Sequence, residues 1–160
     1  MRNPASSLKM MGNSVLFWED FVVGDRYPTS TRTITEDDLN SFCELVGYDV
    51  PLFIDDERAE VSPYGGRICP SHLIMSVATA MTGRLFSESL IGLLGLENGK
   101  FHAPVYPGDS LLTEVEVIEK RPTSKAERGI VIFRDHVFNN HDVEVFQIDK
   151  ITLISCRPVC

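Results

Sequence analysis

The sequence predicts an α+β domain in which an antiparallel sheet curls around one helix. Two observations carry this prediction. Ser71–Phe86 is apolar in nearly every direction of a helical wheel, which is typical of a helix buried on all sides. The region 111–154 then supplies consecutive segments rich in Val, Ile and Phe, which predict the strands that cover it. With 160 residues, the chain has the length of one domain that needs no disulfide or metal for stability.

The domain is predicted to occupy residues 17–155. Residues 1–16 mix Pro, Gly, Ser and Asn without a sustained period, so we expect a mobile N-terminal tail. Residues 156–160 are expected to form a short C-terminal tail.

The regular elements follow in order along the chain. The β-branched segment Thr29–Thr35 predicts a strand, and the amphipathic helix behind it is expected to be capped by Thr35 and to end at Gly47. Pro and Gly in residues 47–70 predict a loop with a short helix near 56–60. After the central helix, the weaker strand candidates are 90–96 and 100–105, and the stronger ones are 111–118, 130–138 and 143–154.

Composition excludes several classes of protein. The net charge of −8 argues against nucleic-acid binding, which requires clustered cations. No apolar run reaches the roughly 18 residues that a membrane span needs, and no secretory leader pattern follows the first residues. The 4 cysteines lack C-x-x-C or zinc-like spacing, so we expect free thiols, a cytoplasmic location and neither metal nor cofactor.

Three ordered patches resemble the MaoC-like dehydratase family, which includes (R)-specific enoyl-CoA hydratases and nodulation-protein-N-like proteins. They are ITEDDLNSFCELVG, GGRI…LIMSVATAMTG and FHAPVYPGDSLLTEVEVIEKR. The resemblance covers Phe17 to Ser155 and implies a hotdog fold, in which a curled antiparallel sheet wraps a long buried helix. It also implies an acyl-CoA or acyl-carrier-protein substrate and a homodimer, with a heterodimer containing a second hotdog subunit as the alternative.

Members of this family hydrate 2-enoyl thioesters or catalyse the reverse dehydration. That reaction needs acid and base groups around one water and a hydrogen-bond donor at the thioester oxygen. The family pattern resembles G-D-x-N-P-L-H-x-D, in which the first Asp and the His flank the water. In this chain Tyr48 and Phe53 stand at those two positions, so we expect weak or altered activity. The residues that match the pattern are Gly47, Pro51, Leu52 and Asp55.

Asp49 and His72 are the remaining candidates for acid/base chemistry. Asp49 follows the expected acid by one residue; because extended neighbours point in opposite directions, a solvent-facing turn residue is the alternative. His72 lies in the first turn of the central helix, where the helix dipole disfavours protonation. A hydrogen-bonded structural histidine is the alternative there.

Four residues are candidates for substrate binding. Gly66 suits a close backbone approach before the helix. Ser71 opens the helix, where backbone N–H groups can act as the oxyanion donor. Ser76 matches a family position on the tunnel side, and His102 can line the acyl channel; structural packing is the alternative for both.

Three functions remain open. The first is an acyl-thioester dehydratase or enoyl hydratase with weak or altered hydro-lyase activity. The alternative is a non-catalytic acyl-binding protein or a supporting subunit of a heteromeric dehydratase. The third is a hotdog thioesterase, which requires a carboxylate such as Asp49 or Glu57 near the helix start.

Overall fold

An antiparallel sheet of six strands dominates the computed structural model, which describes residues 8–9 and 15–158. Its main path runs in the order β1-β4-β5-β6-β3, and the short β2 pairs with β4. The strands are β1 (Arg26–Pro28), β2 (Arg32–Thr33), β3 (Leu90–Phe101), β4 (Ser110–Pro122), β5 (Arg128–Phe138) and β6 (Glu144–Ser155). The helices are α1 (Glu36–Val46), α2 (Pro51–Ile54), α3 (Asp56–Glu60) and α4 (Ser71–Met81), with 3₁₀ turns at Trp18–Asp20 and Gly83–Leu85.

The three long strands β4, β5 and β6 confirm the predictions for 111–118, 130–138 and 143–154. Burial alternates strictly along β5, as expected for a sheet with one covered face. The weak candidate at 90–96 and the start of the one at 100–105 belong to a single strand, β3, whereas residues 102–105 lie outside any strand. That strand has irregular register near Gly92, Gly95 and Gly99, which is why its alternation is hard to see in the sequence.

Helix α1 begins and ends where the sequence places its signals. Thr35 Oγ1 accepts a hydrogen bond from the Asp38 amide at 3.1 Å, and Asp38 Oδ2 accepts one from the Thr35 amide at 2.9 Å. Gly47 ends the helix with φ of 68°, a conformation that favours glycine. The predicted strand Thr29–Thr35 is shorter, because only Arg32–Thr33 pairs with β4.

The expectation that Ser71–Phe86 is a helix covered on all sides was wrong in two respects. Helix α4 ends at Met81, and only its Leu73, Ile74 and Ala78 face is buried. The opposite side is exposed along its length, at Ser71, His72, Ser76 and Ala80. The sheet covers one face of α4 and ends at the edge strand β3, whose outer side is unpaired. Because the sheet ends there, nothing in the described part of the chain covers the other face of α4.

The core between α4 and the sheet contains a buried ion pair. Lys150 Nζ lies 2.6 Å from Asp135 Oδ2 and donates to Thr82 Oγ1 at 2.9 Å, just beyond the end of α4. Both charged side chains are at most 2% exposed. Burial raises the pKa of Asp135, although the adjacent Lys150 ammonium acts in the opposite direction.

The N-terminal region contributes to the edge of the sheet. Leu8 forms a parallel bridge with Arg26, and Lys9 Nζ lies 2.5 Å from Asp25 Oδ2. The rest of the predicted tail before residue 15, and residues 159–160, lie outside the described residues. Within the described part of the chain, no helix is long and apolar enough to cross a membrane.

Candidate functional site

The start of α4 and the end of β3 enclose a cavity of about 240 Å³, which we call the Ser71 pocket. It brings together Ser71 and His102, two of the residues predicted to bind substrate. Among the other residues that line it are Tyr64, Cys69, Ile74 and Phe101. The pocket therefore combines a helix start with walls that are about half polar and half apolar.

The first turn of α4 begins at this pocket, which Ser71 lines. Pro70 precedes the helix, and its carbonyl accepts hydrogen bonds from the amides of Leu73 at 3.0 Å and Ile74 at 3.2 Å. The amides of Ser71 and His72 precede this ladder, as the first N–H groups of any helix do. Their position and the helix dipole suit a ligand oxygen that carries negative charge.

Tyr48 and Phe53 form an edge-to-face aromatic pair, with ring centroids 5.1 Å apart and planes at 82°. Both rings pack against the core cluster that includes Leu39 and Cys43. Phe53 has no group that can transfer a proton, and a phenol is a weak base near neutral pH. These two positions therefore contribute packing in this structure.

Asp49 lies in a different depression from Ser71. A groove of about 320 Å³ between α1 and α2 is lined by Asn40, Cys43, Glu44, Tyr48, Asp49 and Ile54, among others. No residue lines both this groove and the Ser71 pocket. The Asp49 side chain is exposed, so the structure does not bring it together with the start of α4.

The other predicted residues lie outside both depressions. His72 and Ser76 are on the exposed side of α4, where Ser76 Oγ donates to the His72 carbonyl at 2.7 Å. This local bond occupies the Ser76 hydroxyl within the helix. Gly66 lies in the loop before α4 and lines neither cavity.

Sequence reasoning missed the role of Arg67, which joins the elements around the aromatic pair. Its Nε donates to Asp56 Oδ1 at 2.6 Å, and its Nη1 donates to Asn40 Oδ1 at 2.8 Å and to the Phe53 carbonyl at 3.4 Å. The partners lie on α1, α2 and α3, up to 27 residues away in sequence. Such separation explains why no local pattern signals these contacts.

Cys69 lines the Ser71 pocket but is unsuited to nucleophilic chemistry. Its side chain is buried, and that burial raises the pKa of the thiol to about 12. The thiolate, which is the reactive form, is therefore scarce at neutral pH. Across residues 8–9 and 15–158, no group of three or more His, Cys, Asp or Glu side chains is placed to hold a metal ion.

Comparison with known proteins decides the family. The family model described as "MaoC like domain" matches residues 20–134, well over half of the chain. This chain belongs to the MaoC-like dehydratase family. Among its relatives, the MaoC-like chain is 32% identical over 144 residues to a beta-methylmalyl-CoA dehydratase of Chloroflexus aurantiacus, covering 89% of the chain but 39% of that protein. The MaoC-like chain thus spans about two-fifths of that dehydratase.

A second relative is matched over about two thirds of its length. The mitochondrial 3-hydroxyacyl-[acyl-carrier-protein] dehydratase of Arabidopsis thaliana is 30% identical over 120 residues, which cover 74% of this MaoC-like chain and 68% of the relative. Among solved structures, a Mycobacterium tuberculosis protein with a double hotdog fold superposes with a TM-score of 0.82 at 19% identity. The superposition covers 91% of this chain and 46% of the Mycobacterium tuberculosis chain. The hotdog fold predicted from the sequence is confirmed.

Proposed function

We propose that this MaoC-like protein binds an acyl thioester in the Ser71 pocket and that its hydro-lyase activity is weak or altered. The aromatic pair of Tyr48 and Phe53, 5.1 Å apart and packed on the core, carries this proposal. It stands where the family pattern has the Asp and His that flank the water. One positioned acid or base contributes roughly 10²–10⁴ to a rate, so loss of both leaves little of the ordinary reaction.

The thioester carbonyl is proposed to face the first amides of α4. This arrangement needs no particular side chain, because backbone N–H groups supply the hydrogen bonds. It is therefore compatible with substitution of the acid/base pair. The substrate carrier is proposed to be coenzyme A or acyl carrier protein, since the two dehydratase relatives are named for one of each.

A non-catalytic supporting subunit is the second candidate function. The separation of Asp49 from the Ser71 pocket favours it, because no carboxylate lines the pocket in which an acyl group would bind. The same observation disfavours the thioesterase hypothesis, which needs such a carboxylate. In this alternative the chain holds an acyl group or supports a catalytic hotdog partner.

We further propose that the chain pairs through β3, as a homodimer. Leu90, Leu93 and Leu96 on this edge strand are 43%, 50% and 44% exposed, and residues 90–96 carry no charge. An antiparallel copy centred on Leu93 would place Leu90 opposite Leu96 of the second copy, which satisfies a two-fold interface. On α4, the small residues Ser71, Ser76 and Ala80 are also exposed, on the side of the helix that the sheet does not cover. A second hotdog subunit is the alternative partner.

A location in the cytoplasm is also proposed. It is supported by Cys43, Cys69 and Cys156, which are free thiols in the structure. Such thiols are typical of a reducing compartment.

Reintroducing the missing pair tests the proposed chemistry. The Tyr48→Asp/Phe53→His variant is expected to hydrate a short 2-enoyl-CoA at least 100-fold faster than the unchanged protein, on the scale of one acid/base group. The reaction is followed by loss of the enoyl absorbance. Tyr48→Asn/Phe53→Gln is the matched control, because it introduces polar groups of similar size without acid/base function.

Two results would contradict the proposal. If the unchanged protein hydrates an enoyl-CoA at ordinary enzyme rates of roughly 1–10³ per second, the aromatic pair does not limit the reaction. If it binds no acyl thioester in calorimetry, the binding function is wrong. For the dimer, Leu93→Lys is expected to give monomers in sedimentation, while Ile54→Lys, at a residue that is 43% exposed against 50% for Leu93, does not. A monomeric unchanged protein at micromolar concentration would overturn that part.

A further inference from the structure

We propose that the groove between α1 and α2 binds an amphipathic helix, rich in lysine or arginine, of a partner protein. This α1–α2 groove, of about 320 Å³, has a mainly apolar lining that includes the two acidic residues Glu44 and Asp49. It shares no lining residue with the Ser71 pocket, so the two sites are separate. Docking in the groove therefore does not require that an acyl thioester binds.

Apolar side chains are exposed around this groove. In the described part of the chain, exposed large apolar residues fall mainly in two stretches, of which the first is β3, the strand proposed to form the dimer. The second is residues 45–64, whose exposed members are Leu45, Val46, Val50, Ile54, Val61 and Tyr64. Ile54 lines the groove itself and is 43% exposed. Such a concentration of exposed apolar groups is typical of an interaction site.

The charge of the same part of the chain defines the partner. Residues 36–60 contain 9 of the 23 acidic residues and 1 of the 15 basic residues. This stretch therefore has a net charge of −8, equal to that of the whole chain, and the remainder is neutral overall. An anionic surface attracts a cationic partner and repels nucleic acids and anionic membranes. The occupant that fits is consequently both basic and apolar.

Two carboxylates at the groove are available to such a partner. Asp56, on α3, is already paired with Arg67 at 2.6 Å. Glu44 and Asp49 are exposed, and neither forms an ion pair with any residue that the structure describes. Lysine or arginine side chains of a docked helix can therefore pair with them without displacing a contact within the described chain.

The walls of the groove favour a helix over an extended peptide. Its lining residues lie on α1, on α2 and in the turn between them, and none belongs to a strand. A bound strand needs an unpaired strand edge for its backbone hydrogen bonds, whereas a helix inserts apolar side chains into a groove. A two-fold contact with a second copy is disfavoured, because two stretches of charge −8 would face each other.

Fluorescence anisotropy with the full chain and labelled synthetic peptides tests the docking. Three alanine-based helical peptides carry lysines beside leucines that recur at i and i+3, i and i+4, or i and i+7. In a matched acidic set, glutamate replaces every lysine. At least one basic peptide is expected to bind about tenfold more tightly than its acidic counterpart. Added salt should weaken this binding, because it screens exposed charges.

Charge reversal at the groove gives the first set of variants. Glu44→Lys/Asp49→Lys is expected to weaken binding of the basic peptide about tenfold and to strengthen binding of the acidic one, since two attractive charges become repulsive. Glu88→Lys/Glu127→Lys is the matched control, because it changes the net charge equally at exposed positions outside residues 36–60. Its effect should be much smaller. Thermal melting establishes that each variant is folded.

The apolar part of the groove is tested separately, and this test remains if the charge reversal does not fold. Ile54→Ala is expected to weaken binding of the basic peptide about fivefold, because it removes three apolar carbons from the groove. Val143→Ala, at a residue that is 44% exposed in the turn before β6, is the control. Hydrogen exchange locates the peptide, which should protect residues 40–54 and leave β3 unchanged.

Four results would overturn the proposed docking. They are the absence of binding by every peptide at roughly 100 µM, equal affinity for the basic and acidic sets, an equal loss in the charge-matched control, and binding that a folded Ile54→Ala variant does not weaken. In addition, sedimentation of the chain without peptide identifies self-association. If Glu44→Lys/Asp49→Lys changes the oligomeric state there, the groove belongs to a second copy and the proposed partner is wrong.

Discussion

Trp18 occupies the space that a side chain at Gly129 would need. A β-carbon built on Gly129 would collide with the Trp18 indole, whose Nε1 donates to the carbonyl of the next residue, Ile130, at 3.3 Å. Lys120, on β4, places its Nζ 4.2 Å from the centre of the Trp18 ring and donates to the Phe21 carbonyl at 3.0 Å. The N-terminal 3₁₀ turn is thereby anchored to the sheet.

Gly129→Ala is therefore expected to displace Trp18 and to lower the free energy of unfolding by about 1–3 kcal/mol. Because the sequence has 1 tryptophan, its emission should move to longer wavelength as the ring is exposed. Chemical denaturation and fluorescence measure both effects. Gly99→Ala is the control, since its β-carbon would meet the Ile148 side chain at ordinary distances of 3.6 and 3.9 Å. Unchanged emission in Gly129→Ala would refute the anchoring role.

Replacing one member of the Lys150–Asp135 pair should cost more stability than replacing both. Lys150→Met leaves a buried carboxylate without its cation and is expected to cost about 3–5 kcal/mol. Lys150→Met/Asp135→Val, which makes the site apolar, should recover most of that loss. Urea denaturation of the two single variants and the double variant gives the coupling free energy. Additive single and double effects would show that the two charges do not stabilise each other.

The stability of the protein should fall in acid partly through Asp149. Burial opposes ionisation of this residue, but hydrogen bonds from Arg134 and Asn98 and the charge of Arg134 outweigh it and hold the pKa below its ordinary range. A carboxyl whose native pKa is lowered stabilises the fold above its unfolded pKa of about 3.9, and this contribution is lost as pH falls through the native value.

Asp149→Asn is accordingly expected to be less stable at pH 7 and to lose less stability as pH falls from about 5 through the unfolded carboxyl pKa of about 3.9 and below. Urea midpoints across this range give the comparison. Glu57→Gln, at an exposed position of α3, serves as the control and should keep the acid slope of the unchanged protein. The same acid slope in Asp149→Asn would exclude this residue as a source.

Arg67→Met should loosen the segment that carries Phe53. The variant loses hydrogen bonds to Asp56, Asn40 and the Phe53 carbonyl, while the aliphatic part of the side chain is kept. Hydrogen exchange across residues 51–60 is expected to accelerate at least tenfold, with little change in β4–β6. Arg58→Met, an exposed arginine on α3, is the matched control. Uniform acceleration throughout the chain would indicate global destabilisation instead.

Local hydrogen bonding explains which elements were predictable from sequence. The Thr35–Asp38 cap and the left-handed Gly47 depend on neighbouring residues, so their signals lie within a few positions. The side on which α4 is open depends on strands far along the chain, and a helical wheel carries no such information. The buried charges of Lys150 and Asp135 occupy alternating strand positions that, in sequence, look the same as solvent-facing ones.

The candidate site was predictable only in part for the same reason. The proposed substitution of the family acid/base pair by Tyr48 and Phe53 rests on the sequence, and the contact between these two residues is short-range. The placement of Asp49 depends on how the turn after α1 directs consecutive side chains. The exposure of Asp49 fits the solvent-facing alternative, although Tyr48 lines the same groove.

The open edge of β3 affects how the protein must be handled in the cell. β3 is twelve residues long, is paired with β6 on one edge only and exposes several leucines, so its outer edge is a template on which other chains can add. This edge must therefore be covered soon after synthesis, because newly made chains that expose it bind chaperones or aggregate. Abundance in vivo should then depend on how quickly this edge is covered, as the proposed dimer would do, as much as on how stable the individual fold is.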